Sequence, residues 1–580
     1  MTPTFFGEGG RLFGWVHEPT GAPRSVGVVL CGGHGDELMC SVPTLRLLAM
    51  RLAAAGFWVL RFDYDGHGDS LGSDRDPDRL PAWRRSVHEA CDFLRATAGV
   101  EQVHLFGMRL GALLATIEAA QRQDVASLVL WSPVTKARMY LRELKAFHAT
   151  SAGTEWAEKE VPSVRGPEDA EVGGFFWSKQ TLEQLGKLDA LAVDKAPTRA
   201  LLIGRDELPL DEKLIAHLRQ LGCNVEPRQA LGYAGMMTSR HNSKRAVDVI
   251  EAVVGWLSDA TPPGAGAAPA PVGGRAASAP EFVEEPIQFG PGQRLFGLVT
   301  RPVRATTRPA ILLMSIGANH HIGSNGLYVR FARAFAALGF SSLRFDLSGI
   351  GDSEAAPGER DNQPYPKGAL DDVRAAMEVL RARGHRRFVM IGLCSGGYHA
   401  FKTAVRDPSV VGLMVINPQT FDYQEGAPLD VTRRHWSNVG EAKQYQQSML
   451  SLEKWKKLLR GQVNVRHVAG VVLERAKTVI GTRLRRALGL ERDAKRLAFG
   501  DEFAKLCERG TDFFMIFSTD DPGLDYLKLH AARQVEALRG HPRFGYVEIA
   551  GPDHTFTPLW SQAELQALLV ERLQRFGESS

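Results

Sequence analysis

A cysteine flanked by glycines is the residue of this chain whose setting most clearly suggests chemistry. Residues 387–397 run Arg-Phe-Val-Met-Ile-Gly-Leu-Cys-Ser-Gly-Gly. The apolar run, the Gly-x-Cys-x-Gly turn and the stretch that follows predict a strand, a tight turn and a helix. Such a nucleophile elbow presents its central side chain at the end of a strand, where a substrate can reach it. Cys394 is therefore a candidate nucleophile.

Sterics decide which residue the elbow presents. The turn brings the residues two before and two after the nucleophile into close contact, so both must be small. With Cys394 in the central position these are Gly392 and Gly396, whereas Ser395 in that position would require Leu393. We therefore expect Cys394 to be presented. The alternative is a buried, inert cysteine, because free cysteine is among the most buried residue types.

A cysteine nucleophile needs a base, and the base needs an acid that orients it. The strand-like run 513–517 is followed by Asp520 and Asp521, and the run 544–549 is followed by His554. In proteins with this elbow the acid and the histidine follow the nucleophile in that chain order. His554 is the candidate base and Asp521 the candidate acid, with Asp520 as its rival one residue away.

With these motifs the second half of the chain resembles the α/β-hydrolase family, from about Phe282 to the C-terminus with one insertion. The segment Leu343–Ser353 also matches the family, as a strand followed by an Asp-x-x-Gly-x-Gly-x-Ser turn. That turn is structural in the family, so the resemblance implies no catalytic role for its Asp346.

The resemblance further implies an oxyanion hole after the apolar run 310–314. One backbone N–H would come from Gly317 or Ala318, and the second from Ser395, directly after the nucleophile. Three polar residues follow, which either contact substrate there or hydrogen-bond the loop to itself: Asn319, His320 and His321.

The first half of the chain is a second copy of the same design. Arg11–Gly14 recurs as Arg294–Gly297, and Leu60–Ser70 recurs as Leu343–Ser353, each 283 residues later. A constant offset indicates an internal duplication. We predict an α/β protein of two tandem α/β-hydrolase domains, each a mostly parallel, doubly wound sheet with an inserted helical cap. The predicted divisions are residues 1–258, an Ala/Pro/Gly-rich linker at 259–281, and residues 282–580.

The site of the first copy is degenerate. The residue between its elbow glycines is Arg109, and a guanidinium that stays protonated cannot act as a nucleophile. Glu207 remains at the acid position, but Gly235 stands at the histidine position. We expect this domain to be silent in acyl transfer. Arg109 either binds an anion or, as we favour, pairs with Glu207, because a buried arginine is normally paired.

The inserted caps differ in charge. The cap of the first domain is expected at about 132–196 and that of the second at about 418–508. Within the second, residues 441–496 contain 14 Lys+Arg against 5 Asp+Glu in a helix-compatible pattern. This stretch is a solvated helical face, a dock for an acidic carrier protein or the anionic tail of coenzyme A, or a contact with an anionic membrane surface.

Composition excludes several classes of protein. A net charge of +4 gives no general case for nucleic-acid binding. The N-terminus has no signal-peptide pattern, and no run approaches the roughly 18 apolar residues of a membrane span. The six cysteines show neither a disulfide framework nor a zinc pattern. We expect a cytoplasmic protein without metal or cofactor, whose two domains pack on each other.

The sequence therefore predicts a Cys394–His554–Asp521 acyl-transfer enzyme that acts on an ester or thioester through a thioester acyl-enzyme. The substrate would be a small molecule, free or linked to coenzyme A or a carrier protein. Hydrolysis is the expected outcome. The alternatives are transfer to an alcohol, amine or carrier-protein thiol, and a non-catalytic binding scaffold.

Overall fold

The structure of the protein is a computed structural model that describes residues 1–151, 161, 164–206, 208–238, 243–264, 273–423 and 498–577. Glu207, the basic stretch 441–496 and most of the second cap lie outside the described residues. The chain divides into two compact units, residues 1–391 with 551–580, and residues 392–550. This division passes through the second copy of the duplication.

The first copy is built on an eight-stranded sheet of order β1-β2-β4-β3-β5-β6-β9-β10. The first three strands in this order pair antiparallel and all later neighbours pair parallel. The strands are β1 Thr2–Phe6, β2 Leu12–His17, β3 Val26–Cys31, β4 Val59–Phe62, β5 Gln102–Met108, β6 Val125–Trp131, β9 Arg199–Ile203 and β10 Asn224–Arg228. A separate hairpin, β7 Ala170–Val172 with β8 Phe175–Trp177, lies in the predicted cap.

Helices connect the parallel strands of the first copy. They pack against the sheet and form two separate apolar cores with it. They are α1 Asp36–Ala54, α2 Arg79–Ala98, α3 Leu110–Gln121, α4 Ala137–Ser151, α5 Lys179–Leu185, α6 Glu212–Gln220, α7 Tyr233–Met236 and α8 Val247–Ala260. The central strands β3 and β5 are near-continuous apolar runs because both their faces are covered.

The second copy begins in the same unit, with strands of order β11-β12-β13-β15-β14-β16. These are β11 Ala277–Ser278, β12 Phe282–Phe289, β13 Leu295–Pro302, β14 Ala310–Met314, β15 Ser342–Phe345 and β16 Phe388–Leu393, the last of which runs on into the second unit. Their helices are α9 Leu327–Ala337 and α10 Ala369–Ala382, and helix α14 Leu559–Leu573 returns to this unit near the C-terminus.

The second unit holds three parallel strands, β17 Val410–Ile416, β18 Asp512–Ser518 and β19 Phe544–Ile549. Its helices are α11 Ser395–Arg406, α12 Ala498–Glu508 and α13 Pro522–Leu538. Strands and helices thus follow the same chain order in both copies, and the predicted class of two tandem α/β domains is confirmed. No helix in the described part of the chain is long and apolar enough to cross a bilayer.

The flanks of the predicted linker are hydrogen-bonded to both copies. Gly264 donates its N–H to the carbonyl of Pro23, and Phe5 donates to the carbonyl of Arg275. Ala277–Ser278 then pairs with strand β12. Residues 265–272, between these flanks, lie outside the described residues.

The repeated Asp-x-x-Gly-x-Gly-x-Ser turns have one geometry in both copies. Asp63 accepts a hydrogen bond from the N–H of Asp69 at 2.9 Å, and Asp346 accepts the equivalent bond from Asp352 at 2.9 Å. In each turn a glycine with a φ of 54°, Gly68 or Gly351, contacts the aspartate. A Cβ at either glycine would overlap the carboxylate. The aspartate is therefore a structural residue that closes the turn, as the family resemblance implies.

The two copies bind each other through equivalent residues. Arg61 of the first copy forms an ion pair with Asp352 of the second at 2.6 Å. The equivalent residues, Arg344 and Asp69, form the reverse ion pair at 3.2 Å. When residue i contacts j of the other copy and j contacts i, the interface has the isologous character of a two-fold dimer. The duplication is therefore an internal dimer over this surface.

His321 lies at the centre of this interface, with its side chain 1% exposed. Its Nε2 bonds Asp69 of the first copy at 2.6 Å, and its Nδ1 bonds Asp346 at 2.9 Å. Burial alone would lower the pKa of His321, but the two carboxylates raise it well above its ordinary value. A protonated His321 therefore bridges the copies.

Arginines and aromatic rings extend the contact. Arg46 on α1 donates to the carbonyls of Gly351 and Ser353, while Arg333 on α9 donates to those of Asp69 and Ser70. Each copy thus satisfies the carbonyls of the other copy's turn. Alongside, the repeat-equivalent rings Phe13 and Phe296 stack with centroids 6.1 Å apart. We call the surface made by these ion pairs, arginines and rings the copy interface.

Replacing Asp69 by Asn should destabilise the protein strongly. The change removes the carboxylate shared by His321 and the fully buried Arg344, which leaves two cations without that partner. Loss of one partner from a buried ion pair costs about 3–5 kcal/mol. The control, Asp352→Asn, should cost less, because the side chain of its partner Arg61 is 11% exposed. Urea unfolding at neutral pH measures both, and equal losses would contradict this ranking.

The ion pair between Asp69 and His321 should make the free energy of unfolding depend on pH. Burial alone would raise the pKa of Asp69, but His321 and Arg344 hold it below its ordinary value. The contribution of Asp69 is therefore present above about pH 4 and lost on acidification. The raised pKa of His321 gives a contribution that is complete below about pH 6.5 and declines as pH rises towards the folded-state value. The difference in unfolding free energy between wild type and Asp69→Asn should be largest between about pH 4 and 6.5. A difference that grows up to pH 9 would refute the bridge.

Candidate active site

Cys394 occupies the turn between strand β16 and helix α11. Its φ of 59° and ψ of −123° lie outside the regions that side-chain-bearing residues normally occupy. The backbone is fixed there by the N–H of Cys394, which donates to Ile416 at 2.9 Å, and by Gly397, which donates to the carbonyl of Cys394. Strained positions of this kind cluster at functional sites. The residue that the sequence predicts at the elbow has the backbone of an elbow.

Gly392 shows why the turn excludes a larger residue. A Cβ at this position would lie 2.2 Å from the carbonyl carbon of Gly396, far inside van der Waals contact. The two glycines that flank Cys394 therefore touch through their backbones, as expected from the Gly-x-Cys-x-Gly spacing. Cys394 is 7% exposed and stands at the N-terminus of α11, where the helix dipole stabilises developing negative charge.

The two candidate acids differ in burial. Asp521 is 2% exposed and caps helix α13, where its Oδ1 accepts from the N–H of Gly523 at 2.7 Å. Asp520 is exposed. A carboxylate that orients a histidine is normally buried and held in place, and Asp521 has both properties; its role as the acid remains a prediction. Both lie in the second unit with Cys394.

His554 lies in the first unit, on the loop that follows strand β19. The loop is held by its neighbour Asp553, which accepts from the N–H and the hydroxyl of Thr557 at 2.6 Å each, and from Thr555 at 3.0 Å. His554 itself is partly exposed. The carboxylate next to the histidine, which the sequence analysis passed over, thus shapes the loop.

The predicted oxyanion segment follows strand β14 in the first unit. Gly317 adopts a φ of 55°, and Ala318 and Asn319 are buried. The Nδ2 of Asn319 has no hydrogen-bond partner among the described residues, so its prediction as a substrate contact remains a prediction. Burial and the neighbouring charge of His321 lower the pKa of His320 to about 4, which keeps it neutral.

The expectation that His321 contacts substrate needs correction. Both its ring nitrogens are bound by buried carboxylates, those of Asp69 and Asp346. A histidine with both nitrogens occupied offers none to a substrate. The alternative prediction is a hydrogen bond within the loop. One of the two partners, Asp69, instead belongs to the other copy, and no local sequence pattern predicts that contact.

The elbow of the first copy has the same backbone with another side chain. Arg109 adopts φ 54° and ψ −119°, within a few degrees of Cys394. Its Nε donates to Glu37 at 2.7 Å, and its Nη2 bonds Glu143. Burial works to lower the pKa of Arg109, but the charge of Glu37 outweighs this and the pKa lies above its ordinary value. Glu207, the expected partner, lies outside the described residues.

Glu37 is the centre of the first copy's site. It accepts from the hydroxyls of Tyr140 at 3.1 Å and Tyr233 at 3.3 Å as well as from Arg109. Where a triad acid would stand, Asp206 instead accepts from the N–H groups of three successive residues, 232–234, next to Gly235. Glu37 is not predicted from the sequence, although a buried arginine is normally paired with a carboxylate.

Comparison with protein families supports the assignment of both copies. The model of the serine aminopeptidase, S33 family matches residues 24–200 and 307–453, one stretch in each copy and together more than half of the chain. The chain belongs to this family of α/β hydrolases. A search of curated proteins gives no match.

Several solved structures are similar to part of this chain at low identity. Est1E from Butyrivibrio proteoclasticus is 16% identical, over 45% of this chain and 99% of its own, with a TM-score of 0.31. XC6422 from Xanthomonas campestris, an α/β serine hydrolase without lid, is 15% identical, over 52% and 98%, with a TM-score of 0.30. The Pyrococcus furiosus esterase PF2001 is 18% identical, over 43% and 84%, with a TM-score of 0.30. These similarities concern the fold alone.

In this S33 chain the cap hairpin of the first copy supports the loop of His554. Glu171 accepts from the N–H of Leu559 at 3.0 Å, and the carbonyl of Gly174 accepts from Gln562 at 2.9 Å. Gln562 also donates to Thr557 at 2.5 Å. A Cβ at Gly174 would lie 2.3 Å from the Thr557 carbonyl oxygen. The first copy therefore packs directly against the segment that follows the histidine.

One cluster has the composition of a metal site. His321, Asp346 and Asp352 each place a possible ligand atom within 4.8 Å of the others. These atoms already bind within the copy interface, since His321 bonds Asp346 and Asp352 pairs with Arg61. A guanidinium on one of three ligands does not suit a divalent cation, so we assign the cluster to the interface.

Replacing Gly392 by Ala should disable the elbow. The added methyl group would meet the backbone of Gly396, which has no flexible end that can yield. Overpacking of this kind costs about 1–3 kcal/mol or more, and the displaced turn should also abolish turnover. As a control, Gly255→Ala on helix α8 meets nothing within 4 Å and should be neutral or stabilising by up to about 1 kcal/mol. Thermal unfolding and ester hydrolysis of both variants test this, and a fully active Gly392→Ala enzyme would contradict the elbow assignment.

Proposed function

We propose that the second copy is a cysteine-dependent acyl-transfer enzyme that hydrolyses an ester or thioester, with Cys394 as nucleophile, His554 as base and Asp521 as the acid that orients it. The observation that carries the proposal is the left-handed backbone of Cys394 at the junction of strand β16 and helix α11. In this fold that position holds the nucleophile. Membership of the S33 family supports the hydrolase class. The proposal of a cysteine nucleophile rests on the residue at position 394.

The proposed reaction begins with proton transfer from the Cys394 thiol to His554. The thiolate attacks the substrate carbonyl carbon, and the backbone N–H groups of Ser395 and of Gly317 or Ala318 bind the oxyanion. Collapse expels the alcohol or thiol, which takes the proton from His554, and leaves a thioester on Cys394. Water, deprotonated by His554, then attacks the thioester carbonyl carbon. Collapse breaks the C–S bond and releases the carboxylic acid, and the Cys394 sulfur takes the proton back from His554.

Three of the five other cysteines are poor candidates for the reactive thiol. Burial raises the pKa of Cys31 and Cys91 well above the ordinary value and that of Cys223 to about 11, which keeps these thiols protonated and unreactive. None of the three lies at a strand–helix turn with positive φ. The first copy has Arg109 at its elbow and, we propose, takes no part in the chemistry.

Replacing Cys394 by Ala should reduce kcat/KM for p-nitrophenyl butyrate and for a butyryl thioester by about 10⁴-fold or more, because no nucleophile remains. Cys394→Ser tests whether the site tolerates an alkoxide and should retain part of the activity. The matched control, Cys223→Ala, should keep wild-type rates. Unchanged turnover by Cys394→Ala, with the variant folded, would eliminate the proposed nucleophile. Product analysis with an added amine or thiol distinguishes hydrolysis from transfer.

The two adjacent aspartates give a second test. Asp521→Asn should lower kcat by about 10²–10⁴-fold, since the histidine loses the acid that sets its tautomer. Asp520→Asn, at an exposed position, should change kcat by less than about twofold. Because an asparagine side chain can still accept from the N–H of Gly523, the Asp521→Asn variant preserves the helix cap. The opposite ranking of the two variants would assign the acid to Asp520.

A further inference from the structure

A cavity of 320 Å³ lies beside the copy interface in the first unit, and Arg109 of the first elbow is not among its lining residues. Its walls come from the cap hairpin, helix α2 and the 66–74 turn of the first copy, and from residues 322–333 and helix α14 of the second. Its volume is at the lower end of the range for small-molecule sites. Its lining includes aromatic, polar and charged side chains, among them Trp83, Trp177, His67, Asn325, Arg330 and Asp74.

One side of the cavity is aromatic. Trp83 and Trp177 meet edge to face with centroids 5.9 Å apart, and His67 lies 5.2 Å from Trp83. Flat rings at near-perpendicular angles form a corner that accepts another ring by edge and face contacts. The wall therefore suits an aromatic body better than a flexible chain.

Polar atoms without partners face this region. Asn325 is 1% exposed, yet its Oδ1 has no hydrogen-bond partner among the described residues. In the same described part of the chain the Nδ1 of His67, which also lines the cavity, has none. Buried polar atoms are seldom left unpaired in folded proteins. Such atoms on the wall of a cavity indicate a polar ligand.

A cation completes the site. Arg330 donates to the carbonyl of Asn325 at 2.9 Å and to the side chain of Gln562, which engages two of its five N–H donors. No carboxylate among the described residues lies within ion-pair distance of it. Burial lowers the pKa of Arg330, while the more distant charge of Asp74 acts to raise it. The one carboxylate of the lining, Asp74, bonds Ser73. Arg330 therefore has donors and charge available for an anion.

We propose that this cavity binds an aromatic carboxylate of about two fused rings, with the carboxylate on Arg330 and the rings against Trp83 and Trp177. The site exists because the chain is duplicated, since each copy supplies part of the wall. Arg79 and Arg333 also line the cavity, but each forms an ion pair with a buried carboxylate, Asp65 or Glu284. Arg330 forms no ion pair among the described residues, so we take it as the anchor.

A ligand bound in the cavity should affect the position of the loop that carries His554. Asn325 donates its Nδ2 to the carbonyl of Thr557 at 3.5 Å, and Gln562 holds the same carbonyl. Both residues also contact Arg330. An anion that draws Arg330 towards the rings would change the support of the His554 loop. This consequence rests on the proposed function, whereas the binding itself does not.

The test is binding of 2-naphthoate to the full-length Cys394→Ala protein. Tryptophan fluorescence and calorimetry measure the binding. The catalytically disabled variant is used so that loss of activity and loss of binding are separate results. We expect saturable 1:1 binding with quenching of Trp83 and Trp177. The neutral counterpart 2-naphthylmethanol and the ringless carboxylate octanoate should each bind at least about tenfold more weakly, as the loss of a charge-assisted bond or of stacking requires. Inorganic phosphate should not compete.

Arg330→Gln should weaken 2-naphthoate binding by about tenfold or more and leave 2-naphthylmethanol unchanged, because glutamine keeps a donor but loses the charge. Arg304→Gln, at an exposed arginine outside the cavity, is the matched control. If Arg330→Gln does not fold, Trp177→Phe replaces it and should reduce both the quenching and the affinity. No binding at about 1 mM probe, or equal binding of naphthoate and naphthylmethanol, overturns the proposal.

Discussion

The buried carboxylate of Asp69 binds two cationic side chains of the other copy at the centre of the copy interface. It belongs to the first copy and binds His321 and Arg344 of the second. His321 ends the segment 315–321, which carries the proposed oxyanion donors, so a residue of the first copy fixes one end of that segment. The cap hairpin fixes the loop of His554 in the same unit through Glu171 and Gly174. The first copy thus has a structural function that does not depend on chemistry at its own elbow.

The two elbows show how a fold persists while its site diverges. Steric contact between flanking residues sets the backbone, and it is the same at Arg109 and Cys394 to within a few degrees. The side chain is under no such constraint. In one copy it is a cysteine at a helix N-terminus. In the other it is a guanidinium that recruits Glu37 and two tyrosine hydroxyls, which fills the site with a paired charge.

Local rules make much of this structure predictable from the sequence. The elbow register follows from the size of residues 392 and 396, the duplication from a constant offset, and the fold from strand–turn–helix patterns. Prediction fails where the deciding partner is distant in the chain. His321 suggests a substrate contact only because Asp69, its partner, lies 252 positions away. Glu37, 72 positions from Arg109, and the cavity beside the copy interface are invisible for the same reason. The difference in burial between Asp521 and Asp520 is likewise a property of the folded chain and cannot be predicted from two adjacent aspartates.

The proposed chemistry requires Cys394 to form a covalent bond to an acyl group. Intact-protein mass spectrometry after rapid mixing with a p-nitrophenyl ester, followed by acid quench and peptide mapping, observes that bond directly. We predict one added acyl group, located on the peptide that contains Cys394 and removed by neutral hydroxylamine, as a thioester should be. An acyl group on Ser395 or on another residue, or turnover of the ester without any adduct on Cys394 under quench conditions that preserve thioesters, would contradict the account.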